Sequence, residues 1–141
     1  MEEYIVFARS HPLLIMGLIA ILGMIIWSEI SRFTRKYKQV NTTQAVQILN
    51  QDGSVVIDVR EDNEVNSGKI KGAKHIPLGQ LKKRMVELEQ AKSKPVLVYC
   101  RSGSRSAHAC SVMTKAGFEN VSNLAGGIMA WESANLPVSK R

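Results

Sequence analysis

One stretch of the chain concentrates residues able to do chemistry: Cys100-Arg101-Ser102-Gly103-Ser104-Arg105-Ser106. It follows Pro95-Val96-Leu97-Val98-Tyr99, an apolar, β-branched run that reads as a strand buried on both faces. Cys100 therefore stands at the carboxyl end of a strand, and a helix starting at Ser106 follows the loop. Gly103 permits a backbone conformation that other residues resist, so consecutive N–H groups can turn inward as a nest. The helix aims its positive end at the same point. Arg101 and Arg105 add two formal positive charges. All three influences favour a thiolate, the nucleophilic form of cysteine. Such a loop also binds a small anion, so the substrate to expect is an anion that a sulfur nucleophile attacks. A lone cysteine is more often a small buried hydrophobe. Strand end, glycine, two arginines and helix start together turn the reading toward reactivity.

Other candidates are weaker. His108 falls on the helix after the loop, where a side chain packs locally or meets solvent more readily than it reaches back to Cys100. Cys110 lies ten residues beyond Cys100 and reads as a sheet-facing core residue, with resolving-cysteine duty as the lesser alternative. His75 reads as a strand residue and Trp131 with Ile128 as core. The methionines fit apolar segments, so no metal site is implied. Two cysteines also exclude a disulfide-stapled scaffold and a four-cysteine zinc site.

The elements that must position Cys100 alternate. Asn41-Thr42-Thr43 is a helix start, with Ala45, Val46, Ile48 and Leu49 forming an apolar face. Asp52-Gly53 turns into a strand, Ser54 to Val59. Gly72 to Pro77 reads as a short strand, Leu78 to Gln90 as a helix, Asn120 to Leu124 as another strand, and Gly126-Gly127 as the turn into a final helix. Alternation of this kind predicts an α/β domain with a central parallel sheet flanked by helices. Sites in such sheets form at the carboxyl ends of the strands, where Cys100 stands.

The amino-terminal region differs. Ser10 to Ser28 is a run of 19 residues without Asp, Glu, Lys or Arg. As a helix, at about 1.5 Å per residue, it just matches a hydrocarbon slab of about 30 Å. Ser10 suits the N-cap, Pro12 the first turn, and His11 and Trp27 the membrane interfaces. Glu2 and Glu3 outweigh Arg9 before the run, and no small-residue cleavage site follows Trp27, so a retained anchor fits better than a signal peptide. Arg32, Arg35, Lys36 and Lys38 follow it, which predicts a single-pass topology, amino terminus out and the domain in the cytoplasm. A reducing compartment would keep Cys100 and Cys110 as thiols.

The whole chain has 141 residues, with 19 Lys and Arg against 12 Asp and Glu, a formal net charge of +7. The surplus is dispersed: +2 over residues 1–38 and +5 over residues 39–141. No dense basic tract with interleaved aromatics occurs, which argues against nucleic acid as a partner.

The loop from Cys100 to Ser106 resembles the active-site loop of the rhodanese family. Asp58-Val59-Arg60-Glu61 resembles the family's Asp-Val-Arg element. Gly68 to Pro77 resembles its Gly-His-Ile-x-Gly-Ala-x-Asn-Ile-Pro segment, with Lys69 where His is usual. Leu124-Ala125-Gly126-Gly127-Ile128-Met129-Ala130-Trp131 resembles its terminal Gly-Gly-x-x-x-Trp helix. With the apolar run, the chain is similar to membrane-anchored, single-domain rhodanese-like proteins of Gram-negative bacteria. The division this implies is a short extracytoplasmic amino terminus at 1–9, a transmembrane helix at 10–28, a basic juxtamembrane stalk at 29–39, a rhodanese-like domain at 40–137 and a basic tail at 138–141.

The resemblance implies a sulfurtransferase. Cys100 would take sulfur from thiosulfate or a persulfide donor and pass it, through a Cys100 persulfide and without a cofactor, to a thiol or protein acceptor. Backbone N–H groups of residues 101–105 would hold the terminal sulfur. Arg101 would face the mouth, Arg105 would pair with Asp58 beneath the loop, and Asp58 and Arg60 would support it. Partners would be the anionic donor, the acceptor, the inner-membrane bilayer and a neighbouring membrane protein. Two alternatives remain: a rhodanese-fold adaptor docking a membrane partner, and a cysteine phosphatase or arsenate reductase. Cysteine phosphatases have five residues between Cys and Arg; here four separate Cys100 from Arg105. The shorter loop suits sulfur better than tetrahedral phosphate.

Overall fold

The computed structural model describes residues 9–33 and 35–140, with the side chains of 31–33 left aside. The expected extracytoplasmic segment up to residue 8, the side chain of Arg32 and Arg141 lie outside the described residues. The chain divides into two units, residues 1–35 and 36–141.

The first unit holds helix α1, Pro12–Phe33. The His11 carbonyl accepts from the amides of Leu14 at 3.1 Å and Ile15 at 3.3 Å, which starts the helix's hydrogen bonding immediately before Pro12. Pro12 dictates this, since its ring fixes φ and it has no amide to leave unpaired. Pro12–Ile30 is long and apolar enough to cross a membrane, and none of it is buried. The helix also runs past Ser28 into the segment expected as stalk.

The second unit is the α/β domain. Five strands make a parallel sheet: β1 (Lys38–Val40), β2 (Val55–Asp58), β4 (Lys74–His75), β5 (Pro95–Tyr99) and β6 (Asn120–Leu124), in the order β1-β6-β5-β2-β4. β5 is central because it is apolar on both sides: Val96, Val98 and Cys100 pack into one buried cluster, Leu97 and Tyr99 into the other. The first face is covered with Leu81, Ala109, Cys110 and Met113; the second with Ala45, Ile128 and Trp131. Helices α2 (Thr42–Leu49), α3 (Asp62–Val65), α4 (Leu81–Arg84), α5 (Ser104–Lys115) and α6 (Gly127–Ser133) connect the strands. Asn41 caps α2 through a reciprocal box: its side chain accepts from the Gln44 amide at 2.9 Å, and its own amide donates to Gln44 Oε1 at 3.0 Å.

Three segments differ from the sequence reading. Lys38–Val40, placed in or beside the stalk, is the edge strand β1, paired with Ser122 to Leu124. Val138 and Ser139, read as tail, form β7, antiparallel to β3 (Lys69–Ile70). The expected continuous helix from Leu78 is a short α-helical turn between two 3₁₀ segments, Leu78–Gln80 and Met85–Ala91. A 3₁₀ winding stacks i and i+3 on one side, which turns Met85 and Leu88 together toward the core.

The carboxyl ends of β2, β5 and β6 line up through the pairs Asp58↔Tyr99 and Val98↔Asn123. Because the second unit contains its own core, a chain beginning at Lys36 should unfold cooperatively in urea. Within it, Asn41→Ala should lower the unfolding free energy by about 1 kcal/mol.

Candidate active site

Cys100 directly follows β5 and is fully buried, and its sulfur is the point on which the loop converges. The Gly103 amide donates to Sγ at 3.1 Å and the Ser106 hydroxyl at 3.4 Å. Burial pushes the thiol up, but hydrogen bonds from the Ser106 hydroxyl and from the amides of Ser106, Gly103 and Ser102 outweigh it, and Cys100 lies below the ordinary cysteine range. Gly103 reaches this position at φ 101°, left-handed backbone that favours glycine.

For the amides to face inward the carbonyls must face outward, and α6 receives them. The Ile128 amide donates to the Cys100 carbonyl at 2.8 Å, and the Met129 amide to that of Arg101 at 3.2 Å. Gly127 makes the approach possible: a Cβ there would collide with both of those carbonyl oxygens.

The charged residues arrange themselves differently from the expectation. Asp58 does not pair with Arg105. Arg60, two residues on, saturates it: Arg60 donates its amide at 3.0 Å and Nε at 3.0 Å to Oδ1, and Nη2 at 2.7 Å to Oδ2. The same guanidinium donates to the carbonyls of Gly68 at 2.7 Å and Glu64 at 3.1 Å, and it stacks 5.7 Å from the centroid of the Tyr99 ring. Tyr99 Oη in turn accepts from the Ile70 amide at 3.0 Å. Asp58 and Arg60 thus tie the ends of β2 and β5 to the segment from Glu64 to Ile70. Arg105, on the first turn of α5, meets Glu64 of α3 in a two-pronged ion pair at 2.7 Å each.

The remaining candidates separate. Arg101 is exposed and lines a pocket of about 340 Å³ with Arg60, Glu64, Ser67, Met129 and Glu132. Ser102 and Ser104 are exposed on the loop. His108 is exposed on α5. His75 donates Nε2 to the Arg60 carbonyl at 2.7 Å. Cys110 is buried, and burial pushes its thiol up, which keeps it protonated. Lys69 donates to the Ala73 carbonyl at 3.1 Å, a bond within its own strand connection. No cluster of metal-ligating side chains occurs among the described residues.

Two contributors escaped the sequence reading. Ser106 closes the Cys100–Ser106 stretch in the sequence, but nothing there assigns its hydroxyl a role toward the sulfur. Glu64 had no signal of its own, being one of several acids after Arg60.

Residues 41–134 match the family model of the rhodanese-like domain. The uncharacterized protein YibN of Escherichia coli K12 is 32% identical over 139 residues, which are 98% of this chain and 97% of that protein. The thiosulfate sulfurtransferase GlpE of Pseudoalteromonas translucida is 30% identical over 98 residues, 70% of this chain and 91% of that one. A crystal structure of a rhodanese-related protein from Thermoplasma volcanium superposes with a TM-score of 0.67 at 30% identity, covering 74% of this chain and 100% of the other.

The ion pair under the loop has a pH signature. The Arg105 guanidinium holds the Glu64 carboxyl well below its usual 4.5, at about 2. Its stabilisation is therefore complete above pH 4.5 and is lost as the pH falls toward 2. The two side chains are 31% and 22% exposed, so solvent screening reduces its worth. Glu64→Gln should cost about 1–2 kcal/mol in urea unfolding at pH 7. The gap from the unmodified chain should narrow when the measurement is repeated near pH 3.

Proposed function

The chain belongs to the rhodanese-like family, and from that membership we propose that it is a membrane-tethered sulfurtransferase. The observation that carries the reading is the Cys100 sulfur, held at 3.1 Å by the Gly103 amide and at 3.4 Å by the Ser106 hydroxyl in a loop whose amides turn inward. The thiolate attacks the outer sulfur of thiosulfate or of a persulfide donor. A bond forms between Cys100 Sγ and that sulfur. The donor's S–S bond breaks and its electron pair leaves with sulfite, or with the donor thiolate. The inward amides then carry the negative charge of the Cys100 persulfide, a role that needs no cofactor. A second thiolate attacks the outer sulfur, departs as a persulfide and returns Cys100 to the thiolate. Cyanide takes the place of the acceptor in an assay. Arg101, exposed on the pocket rim, draws the anionic donor in.

The phosphatase reading loses ground for a geometric reason. A phosphate-binding arginine has to point at the anion, and here Arg105 is engaged on both prongs by Glu64. The adaptor reading leaves the assembled sulfur site unused. Mass spectrometry of the intact protein after thiosulfate treatment tests the chemistry. The expected result is a gain of one sulfur atom, about 32 Da, on a thiolate activated in this way. Cys100→Ser should abolish the adduct and Cys110→Ser should leave it. Persistence of the adduct in Cys100→Ser overturns the assignment.

The tether rests on Pro12–Ile30, apolar and with none of it buried, followed by Arg35, Lys36 and Lys38. The similarity to YibN, running over 98% of this chain, takes in this helix together with the domain. In this reading the helix spans the bacterial inner membrane with the domain in the cytoplasm, beside the acceptor and a membrane partner. A fluorescent reporter active only in the cytoplasm, fused after Arg141, should be bright, and a periplasm-dependent enzyme at the same place silent. A periplasmic signal, or release of the protein by carbonate washing, overturns the topology.

A further inference from the structure

Asn123 lies at the carboxyl end of β6, 1% exposed, and its Oδ1 is the one buried side-chain nitrogen or oxygen without a hydrogen-bond partner among the described residues. Its Nδ2 has two hydrogens, and both are used. One goes to the Gly103 carbonyl at 3.0 Å and the other to Gln39 Oε1 at 3.1 Å. The Gly103 carbonyl can only accept, and it fixes this orientation of the amide, to which Gln39 responds by presenting Oε1. Turning the Asn123 amide over would set Oδ1 against the Gly103 carbonyl oxygen. A buried acceptor is left unsatisfied, and what the fold retains in exchange is the pair of donor bonds.

Those bonds fall on the residue that matters most to the thiolate. Gly103 sits in left-handed backbone and donates its amide to Cys100 Sγ. Its carbonyl is held from the other side by Asn123 and by the Ala107 amide at 3.1 Å. The Ala107 bond is the ordinary first bond of α5 and fixes the carbonyl along the helix. The Asn123 bond comes from the sheet and fixes it sideways. Gln39 belongs to β1, the edge strand that begins the domain, and the Val40 carbonyl accepts from the Ala125 amide at 2.9 Å, just before the Gly126-Gly127 turn. β1 therefore touches the loop's supports at two points.

We propose that Asn123 is a positioning residue that holds Gly103 in the orientation that stabilises the Cys100 thiolate, with Gln39 of β1 steering the Asn123 amide. The proposal rests on Cys100 being the reactive thiolate, but not on which sulfur donor or acceptor it serves.

The test is the pH dependence of Cys100 alkylation by iodoacetamide in the full chain in detergent, followed residue by residue by mass spectrometry. No sulfur donor takes part, so a failure of the thiosulfate adduct and a failure of this proposal are distinguishable. Asn123→Leu keeps the branching and the number of heavy atoms, with bulkier methyls, and removes both donors; Asn123→Ala removes the donors without added bulk. Both should move the alkylation midpoint up by about half a unit to one unit, which slows the reaction about three- to tenfold at pH 7 and leaves the alkaline plateau unchanged. Gln39→Ala, on the exposed edge, should move it in the same direction by less. A lowered melting temperature with an unshifted midpoint in the Asn123 variants overturns the proposal, since that is what a packing role alone produces. Should those variants fail to fold, Gln39→Ala decides: a raised midpoint supports the proposal and a profile superimposed on that of the unmodified chain overturns it.

Discussion

A buried thiolate is costly in a protein interior unless donors meet it, and the domain is organised around supplying them to one sulfur atom. Backbone amides can face a common point only if their carbonyls face away from it, and those carbonyls then need partners of their own. The first amides of α6 provide them for Cys100 and Arg101. That in turn requires the β6–α6 turn to lie against the loop, closer than any side chain permits, which is the reason for glycine at 127. One electrostatic demand at Cys100 thus dictates a residue 27 positions later in the chain.

The charged network beside the loop works by restraint. Asp58 and Arg60 are both almost completely buried, and a buried ion pair is worth little as stability when its desolvation is counted. Its value lies in what Arg60 spans: it binds Asp58 at the sheet end, the Glu64 and Gly68 carbonyls, and the face of Tyr99. Glu64, with its carbonyl fixed by Arg60, then presents its carboxylate to Arg105. The support runs from Asp58 to Arg60 to Glu64 to Arg105, with Asp58 and Arg105 at opposite ends.

That chain marks the boundary of what the sequence conveys. The strand–loop–helix passage at Cys100 was legible because local composition enforces it: a β-branched strand, a glycine, then helix formers. The parallel sheet followed from alternation, and Gly126-Gly127 from its punctuation. The Arg105 partner was not legible, since choosing between Asp58 and Glu64 depends on tertiary placement. Asp58 looked available until Arg60 was seen to fold back on it. β1 and β7 escaped for another reason. At three and two residues they carry too little pattern to register, and they exist because a partner strand receives each of them, β6 for β1 and β3 for β7.

In the sulfurtransferase reading, the pairing of Arg105 also bears on which anion the loop suits. Counted from sequence, the loop offers two cations, but Glu64 neutralises one of them. What remains around the sulfur is mostly the fixed dipoles of amides and of the Ser106 hydroxyl, with Arg101 free at the rim. Dipoles set by the backbone are sized to one terminal atom and cost no reorganisation when charge arrives. A guanidinium fork matches the paired oxygens of a phosphate. In the sulfurtransferase reading the loop's preference therefore depends on Glu64 as much as on its length: by holding Arg105 aside, that carboxylate leaves amide and hydroxyl donors, and no guanidinium fork, facing Cys100 Sγ.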